Sequence, residues 1–184
     1  MPFTNRAIRR KSLFISVLII IGLIILDQLT KYLVVAYVAP VGAVPFIPHV
    51  VELRYVLNEG AAFSMFSGKQ ELLIIFTSIA LLGLLYYVLF RKPTGKMEYI
   101  ALLLIVSGGI GNLIDRIFNG AQLFKGGVVD FFNLLFMDFA VFNVADCFVV
   151  VGVALWSIYL IFSELKERKT KKIQTLPNNE GNNE

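Results

Sequence analysis

Residues 12–38 read SLFISVLIIIGLIILDQLTKYLVVAYV. A helix needs about 20 mostly apolar residues to cross about 30 Å of hydrocarbon, and this run exceeds that with only Asp27 and Lys31 as charged interruptions. Arg6, Arg9, Arg10 and Lys11 precede it, as in the basic start of a signal peptide. The run nevertheless continues through Asp27 and Lys31 to Val38, and the small residues beyond mark no convincing cleavage site. It reads as a retained transmembrane helix.

Three more stretches qualify as spans: Leu72–Phe90, Tyr99–Ile117 and Phe139–Phe162. The chain is 57% hydrophobic and 16% charged, with a mean hydropathy of +0.74. A soluble domain of 184 residues has too little interior to hide so much apolar side chain. The predicted fold is therefore an all-α integral membrane protein, a four-transmembrane-helix bundle. Residues 1–168 form one domain with spans near 12–38, 72–90, 99–117 and 139–162. Residues 169–184, rich in Lys, Asn and Glu, read as a disordered cytoplasmic tail.

Charge gives the orientation. Twelve of the 17 basic residues lie in the N-terminal tail, in Arg91-Lys92-Lys96, and between Lys166 and Lys172. Four spans put these three segments on one side, which the positive-inside rule makes cytoplasmic. The formal charge of +4 is then a topology signal and not a nucleic-acid patch. The loops near 39–71 and 118–138 face outward.

Within this apolar chain the ionisable residues carry the information. Asp130 lies in Val128-Val129-Asp130-Phe131-Phe132, and Asp146 ends Phe142-Asn143-Val144-Ala145-Asp146. A carboxylate in such surroundings is costly unless it is paired, wetted or used in chemistry. Asp27 and Lys31 share a helix face and can pair. Asn112, Asp115 and Arg116 cluster at the outer end of the third span, and Asn143 and Asp146 near the start of the fourth. Arg116 is either a snorkelling anchor or a partner of Asp115. All these groups converge on one membrane face. Two carboxylates in mutual reach would share a proton and could activate water against an amide.

Other features have plainer readings. Cys147 is alone, and His49, the single histidine, sits in a turn or at an interface; together they exclude a cysteine zinc site and a His-Glu-x-x-His metalloprotease. Ser107-Gly108-Gly109-Ile110-Gly111 is a helix-packing surface. Phe131–Phe142 is an interfacial segment. Val50–Leu57 reads as a surface strand that could receive an extended peptide. Asn58-Glu59-Gly60 then marks a turn, and Ala61–Phe66 a second strand or a short amphipathic helix. An ion-coupled transporter and an assembly factor compete with the hydrolase. Transport sites favour the midplane and internal repeats, and neither is evident here.

The residues also carry a resemblance. Asp27-Gln28-Leu29-Thr30-Lys31, Asn58-Glu59-Gly60-Ala61-Ala62-Phe63-Ser64, Gly111-Asn112-Leu113-Ile114-Asp115-Arg116, Gly127-Val128-Val129-Asp130-Phe131 and Phe142-Asn143-Val144-Ala145-Asp146 occur in the order of the motifs of the type II, or lipoprotein, signal peptidases. The resemblance implies a bacterial inner-membrane aspartic endopeptidase that cleaves prolipoproteins before a diacylglyceryl-modified cysteine. It implies Asp130 and Asp146 as the catalytic pair. Asn58, Asn112, Arg116 and Asn143 would position substrate or brace the pair, with Gly60 and Asp115 from the same motifs in support. Asp27 and Lys31 would hold the helices in register. It further implies a small extracytoplasmic β-cradle, a short surface helix or lid, cytoplasmic termini, and inhibition by globomycin. Diacylglyceryl-prolipoproteins and membrane lipids are the expected partners of a monomer that needs no metal or other cofactor. Ser107, Cys147 and a long connection from Arg116 to Asp130 depart from the usual pattern, and the last leaves the lid's shape open.

Overall fold

The computed structural model describes residues 3–60, 70–91, 93 and 95–174. Helix α1 (Phe3–Leu33) ends in a π-helical turn, Val34–Val38. Strands β1 (Ala43–Ile47) and β2 (Val51–Asn58) follow. Helix α2 (Gln70–Tyr86) is likewise extended by a π turn, Tyr87–Arg91. Helix α3 (Lys96–Phe118), strand β3 (Val128–Leu134) and helix α4 (Val144–Gln174) follow in the described residues. Among the described residues, four stretches are long and apolar enough to cross a membrane: Leu13–Val38, Gln70–Arg91, Lys96–Phe118 and Val144–Lys171.

Helix α3 is the centre of the bundle. Its Leu102, Leu103 and Val106 are buried against Ile20 of α1, Val88 beyond α2 and Trp156 of α4. The outward faces of the other helices stay apolar and exposed, with Phe14, Ile25, Phe76, Leu82, Val150 and Ile161 among them. Lipid tails are as apolar as these side chains, so association relies on close packing and polar contacts. Gly108 supplies the closeness, because a Cβ there would run into the carbonyl oxygen of Ala145 on α4. The glycine-rich segment of the third span is thus a packing surface, as its composition suggested.

The three strands form one antiparallel sheet in the order β1-β2-β3. Val56 lies opposite Asp130, Leu57 opposite Val129 and Asn58 opposite Val128. This register sets the end of β2 beside the first carboxylate. His49 occupies the turn between β1 and β2 with φ of 62°, in keeping with its reading as a turn residue. Strand β1 is an exposed edge, and Pro45 within it removes one N–H that could recruit another strand.

Three expectations need correction. The stretch 118–138 is not all loop or plain interfacial segment, because Val128–Leu134 joins the sheet; Asp130 interrupts the apolar alternation that announces a strand. The fourth helix begins at Val144 instead of Phe139. Phe142 is held extended, donating to and accepting from Phe132 of β3 at 3.2 and 2.7 Å, so helical dihedrals cannot start there. The segment expected to be disordered from 169 is helical through Gln174. Good helix formers carry it onward from an Arg168–Glu164 pair at 2.7 Å, four residues apart. The strand or amphipathic helix expected at Ala61–Phe66, and with it a surface helix there, falls outside the described residues, as do residues 175–184.

Gly108→Leu should separate α3 from α4. We expect a cost of about 1–3 kcal/mol from overpacking, measured as a lower unfolding temperature in detergent. Gly22→Leu is the control, since nothing lies within 4 Å of a Cβ there, and it should leave that temperature almost unchanged.

Candidate active site

The last turns of α1 and α3, the start of α4 and strands β2 and β3 meet at one end of the bundle. Asn143 organises the meeting point. It precedes the first residue of α4, and its side-chain oxygen accepts the N–H of Asp146 at 3.0 Å. The Asp146 carboxylate accepts the N–H of Asn143 in return, also at 3.0 Å. This reciprocal pair is a capping box, in which two otherwise orphaned helix-start donors are satisfied. The same local rule that starts the helix therefore aims Asp146.

Asn143 also reaches across to β3. Its Nδ2 donates to Asp130 at 2.7 Å, with longer contacts to the Asn112 side-chain oxygen at 3.1 Å and the Val129 carbonyl at 3.3 Å. The second Asp130 oxygen accepts Asn58 Nδ2 at 2.9 Å. Asn58 is itself steadied by the N–H of Gly60, whose φ of 95° suits a residue without a Cβ. The second Asp146 oxygen accepts Asn112 Nδ2 at 2.8 Å. Each oxygen of both carboxylates thus has a neutral N–H donor. The sequence suggested two carboxyls joined by a common proton; the observed link between them is Asn143.

Behind this layer lies a buried ion cluster. Lys31, 3% exposed, places its ammonium 2.8 Å from Asp27 and 3.0 Å from Asp115. Its third donor goes to the Asn112 side-chain oxygen at 2.9 Å. Asp27 continues to α4 by accepting the Ala145 N–H at 3.0 Å, and Asp115 continues to β3 by accepting the Val129 N–H at 3.2 Å. Asp115 therefore pairs with Lys31 and not with Arg116, one of the two readings left open for that arginine. Arg116 is half-buried and makes one long contact, 3.4 Å, to the Asn112 carbonyl.

Burial, more than any charge, pushes the Asp130 carboxyl up to about 6. The neighbouring Asp146 adds to the rise, while the hydrogen bonds from Asn58 and Asn143 and the charge of Lys31 oppose it. The described residues offer no group of three or more His, Cys, Asp or Glu side chains able to hold one metal ion.

All the residues singled out in the sequence, Asp27, Lys31, Asn58, Gly60, Asn112, Asp115, Arg116, Asp130, Asn143 and Asp146, fall in this one assembly. Ala61–Ser64 of the second motif lie outside the described residues. Gln28 was missed. Its amide nitrogen binds Asp115 at 3.0 Å, Asp27 at 3.1 Å and the Gly111 carbonyl at 3.2 Å. An amide inside a span, next to a charged residue, was the available signal. Asn119, which donates to the Gly127 carbonyl at 2.9 Å and so anchors the approach to β3, carried no such signal.

A model of the signal peptidase II family matches residues 19–162. Two proteins described as lipoprotein signal peptidases, from Streptococcus pyogenes serotypes M2 and M5, are each 42% identical over 151 residues, covering 82% of this chain and 94% of theirs. Among solved structures, a bacterial membrane enzyme determined by the in meso method superposes with a TM-score of 0.67 at 32% identity, covering 92% of this chain and 93% of its own. A second one gives the same TM-score at 35% identity, covering 79% and 91%.

The raised Asp130 carboxyl makes stability depend on pH in a defined direction. Above about pH 6 it is ionised in folded and unfolded chains alike, and the cost of burying the charge is full. Below that, the folded carboxyl keeps a proton that the unfolded one, near 3.8, releases, and the cost fades. Asp130→Asn should therefore raise the unfolding temperature more at about pH 8 than at about pH 5. An equal gain at both would contradict the assignment.

Proposed function

The chain belongs to the signal peptidase II family, and from that premise we propose that Asp130 and Asp146 form an aspartic dyad that hydrolyses prolipoproteins ahead of a lipid-modified cysteine. The observation that carries this reading is Asn143, which donates to both carboxylates and leaves them in unlike environments. Asp146 sits at a helix start, where N–H groups and the helix dipole favour negative charge. Asp130 is the member that burial drives toward its protonated form.

Roles follow from the asymmetry. Asp146, ionised, takes a proton from water as that water attacks the scissile carbonyl. Asp130, protonated, donates to the developing oxyanion, and a carboxyl then protonates the leaving amine. Peptide closing over the site would expel water and increase the protonated share of Asp130. Arg116, facing both charges, limits the negative potential of the pair. Asn58, Gly60, Asn112 and Asn143 keep the carboxyl planes fixed, and Asp27, Lys31 and Asp115 hold the helices beneath them. None of these steps calls for a metal or a nucleotide.

The membrane setting supports the substrate class. The basic residues Lys96 and Lys166 lie about 24 Å and about 30 Å along α3 and α4 from Asn112 and Asp146, at 1.5 Å per residue. With those ends cytoplasmic, the site opens at the outer face, where a lipidated cysteine would keep its acyl chains in the bilayer. A single monomer contains every group the reaction uses.

Asp130→Asn and Asp146→Asn should each abolish cleavage of a diacylglyceryl-modified prolipoprotein peptide by detergent-purified protein. The double variant should be little worse than either single one, because the pair acts as a unit. EDTA should leave the wild type active, and the unmodified peptide should be a poor substrate. Asp138→Asn, exposed in the same connection, should keep most activity; an essential Asp138 with a dispensable Asp130 would sink the assignment.

Orientation is tested separately. A cysteine at Leu123 should react with an impermeant thiol reagent added to intact cells, and one at Lys169 only after the cells are opened. Labelling of the Lys169 position from outside would place the dyad on the cytoplasmic face.

A further inference from the structure

The Lys31 ammonium has three N–H donors, and each meets a different acceptor: Asp27 at 2.8 Å, Asp115 at 3.0 Å and Asn112 Oδ1 at 2.9 Å. The two carboxylates already more than neutralise the buried cation. The third bond goes to an uncharged amide, and that amide is the one that donates to Asp146 at 2.8 Å.

An asparagine amide has two orientations of almost identical shape, differing by exchange of oxygen and nitrogen. In the observed one, Asn112 Oδ1 accepts from Lys31 and, at 3.1 Å, from Asn143, so both its lone pairs are used, while its Nδ2 faces Asp146. The reverse would set an NH2 group against an ammonium and a carbonyl oxygen against a carboxylate. Lys31, 3% exposed and fixed between two carboxylates, selects between them.

We infer that Lys31 is a positioning residue for the reaction, acting through the Asn112 amide to keep a donor on Asp146. Asp27 and Asp115 hold the ammonium at the point from which it can do so. Gly111 permits this arrangement, since a Cβ there would stand 2.5 Å from Asp27 Oδ2. The inference rests on the reading of Asp146 as catalytic and adds to it a role for Lys31 beyond helix register.

The test is a double-mutant cycle in the purified full chain, assayed with a diacylglyceryl-modified prolipoprotein peptide. Lys31→Met removes all three donors. Lys31→Arg keeps a cation for Asp27 and Asp115 but replaces the tripod by a planar fork. Each is made alone and over Asn112→Ala, with unfolding temperature recorded beside kcat and KM. Alone, each should lower kcat by about tenfold or more with KM within about threefold, the pattern of a misplaced reacting group. Over Asn112→Ala, each should lower kcat by less than about threefold further, because the amide it orients is gone. An equal kcat loss with and without Asn112, full kcat in Lys31→Arg, or failure of both replacements to fold would assign Lys31 to structure alone and overturn the inference. Asp146→Asn keeps the two failures apart. If it remains active, the dyad reading has failed; if it is inactive while the cycle is additive, only the role of Lys31 has.

Discussion

A buried lysine, held between two helices, is the constraint on which the rest of this molecule depends. Removing one partner from a buried ion pair typically costs about 3–5 kcal/mol, because the charge left behind has nowhere to go. In a bilayer that alternative is worse still. Lys31 therefore obliges α1 to stay against α3, where Asp115 and Asn112 receive it. The two carboxylates pass the constraint on. Asp27 grips the first turn of α4 through the Ala145 N–H, and Asp115 grips β3 through the Val129 N–H. One cation thus sets the mutual positions of three helices and a strand, in a bundle whose apolar faces could slide past one another at little cost.

Strand β3 shows how that cluster reaches Asp130. On one side the strand pairs with β2. On the other, the Val129 N–H goes to Asp115 and its carbonyl to Asn143, so two side chains do the work of a neighbouring strand. A strand at a membrane edge needs such partners, because unpaired main-chain groups there cannot rely on water. Asp130 is the next residue along, and the side-chain anchors on Val129 fix the direction in which its carboxyl points. Backbone satisfaction and the aim of the Asp130 carboxyl are here one requirement.

Much of this was legible in the sequence. Four apolar runs announced four helices, and polar residues at three- and four-residue spacing announced which ends of those helices meet. The matched motifs named the residues of the assembly. What escaped were relations across the fold. Asp115 stands beside Arg116 in the chain, yet its partner is Lys31 on another helix, because adjacent helical side chains diverge while facing helices approach. Strand β3 was hidden because Asp130, the residue that makes it important, spoils the pattern by which strands are recognised. The start of α4 was misread because Phe139–Phe142 are as apolar as any helix, and only the Phe132 partner explains why Phe142 is not helical.

Asn143 marks where local and distant information merge. As a helix cap it belongs to the simplest class of sequence signal, an Asn followed three residues later by an acid. In an ordinary helix that acid would merely satisfy an N–H. Here it is Asp146, and the amide left over from capping is free to hold Asp130. The capping box thus gives two nominally identical carboxyls different surroundings: one at the positive end of a helix, the other on a strand with no helix dipole to favour its charge. The proposed division of the two into acid and base needs only that difference, and a single turn of helix geometry supplies it.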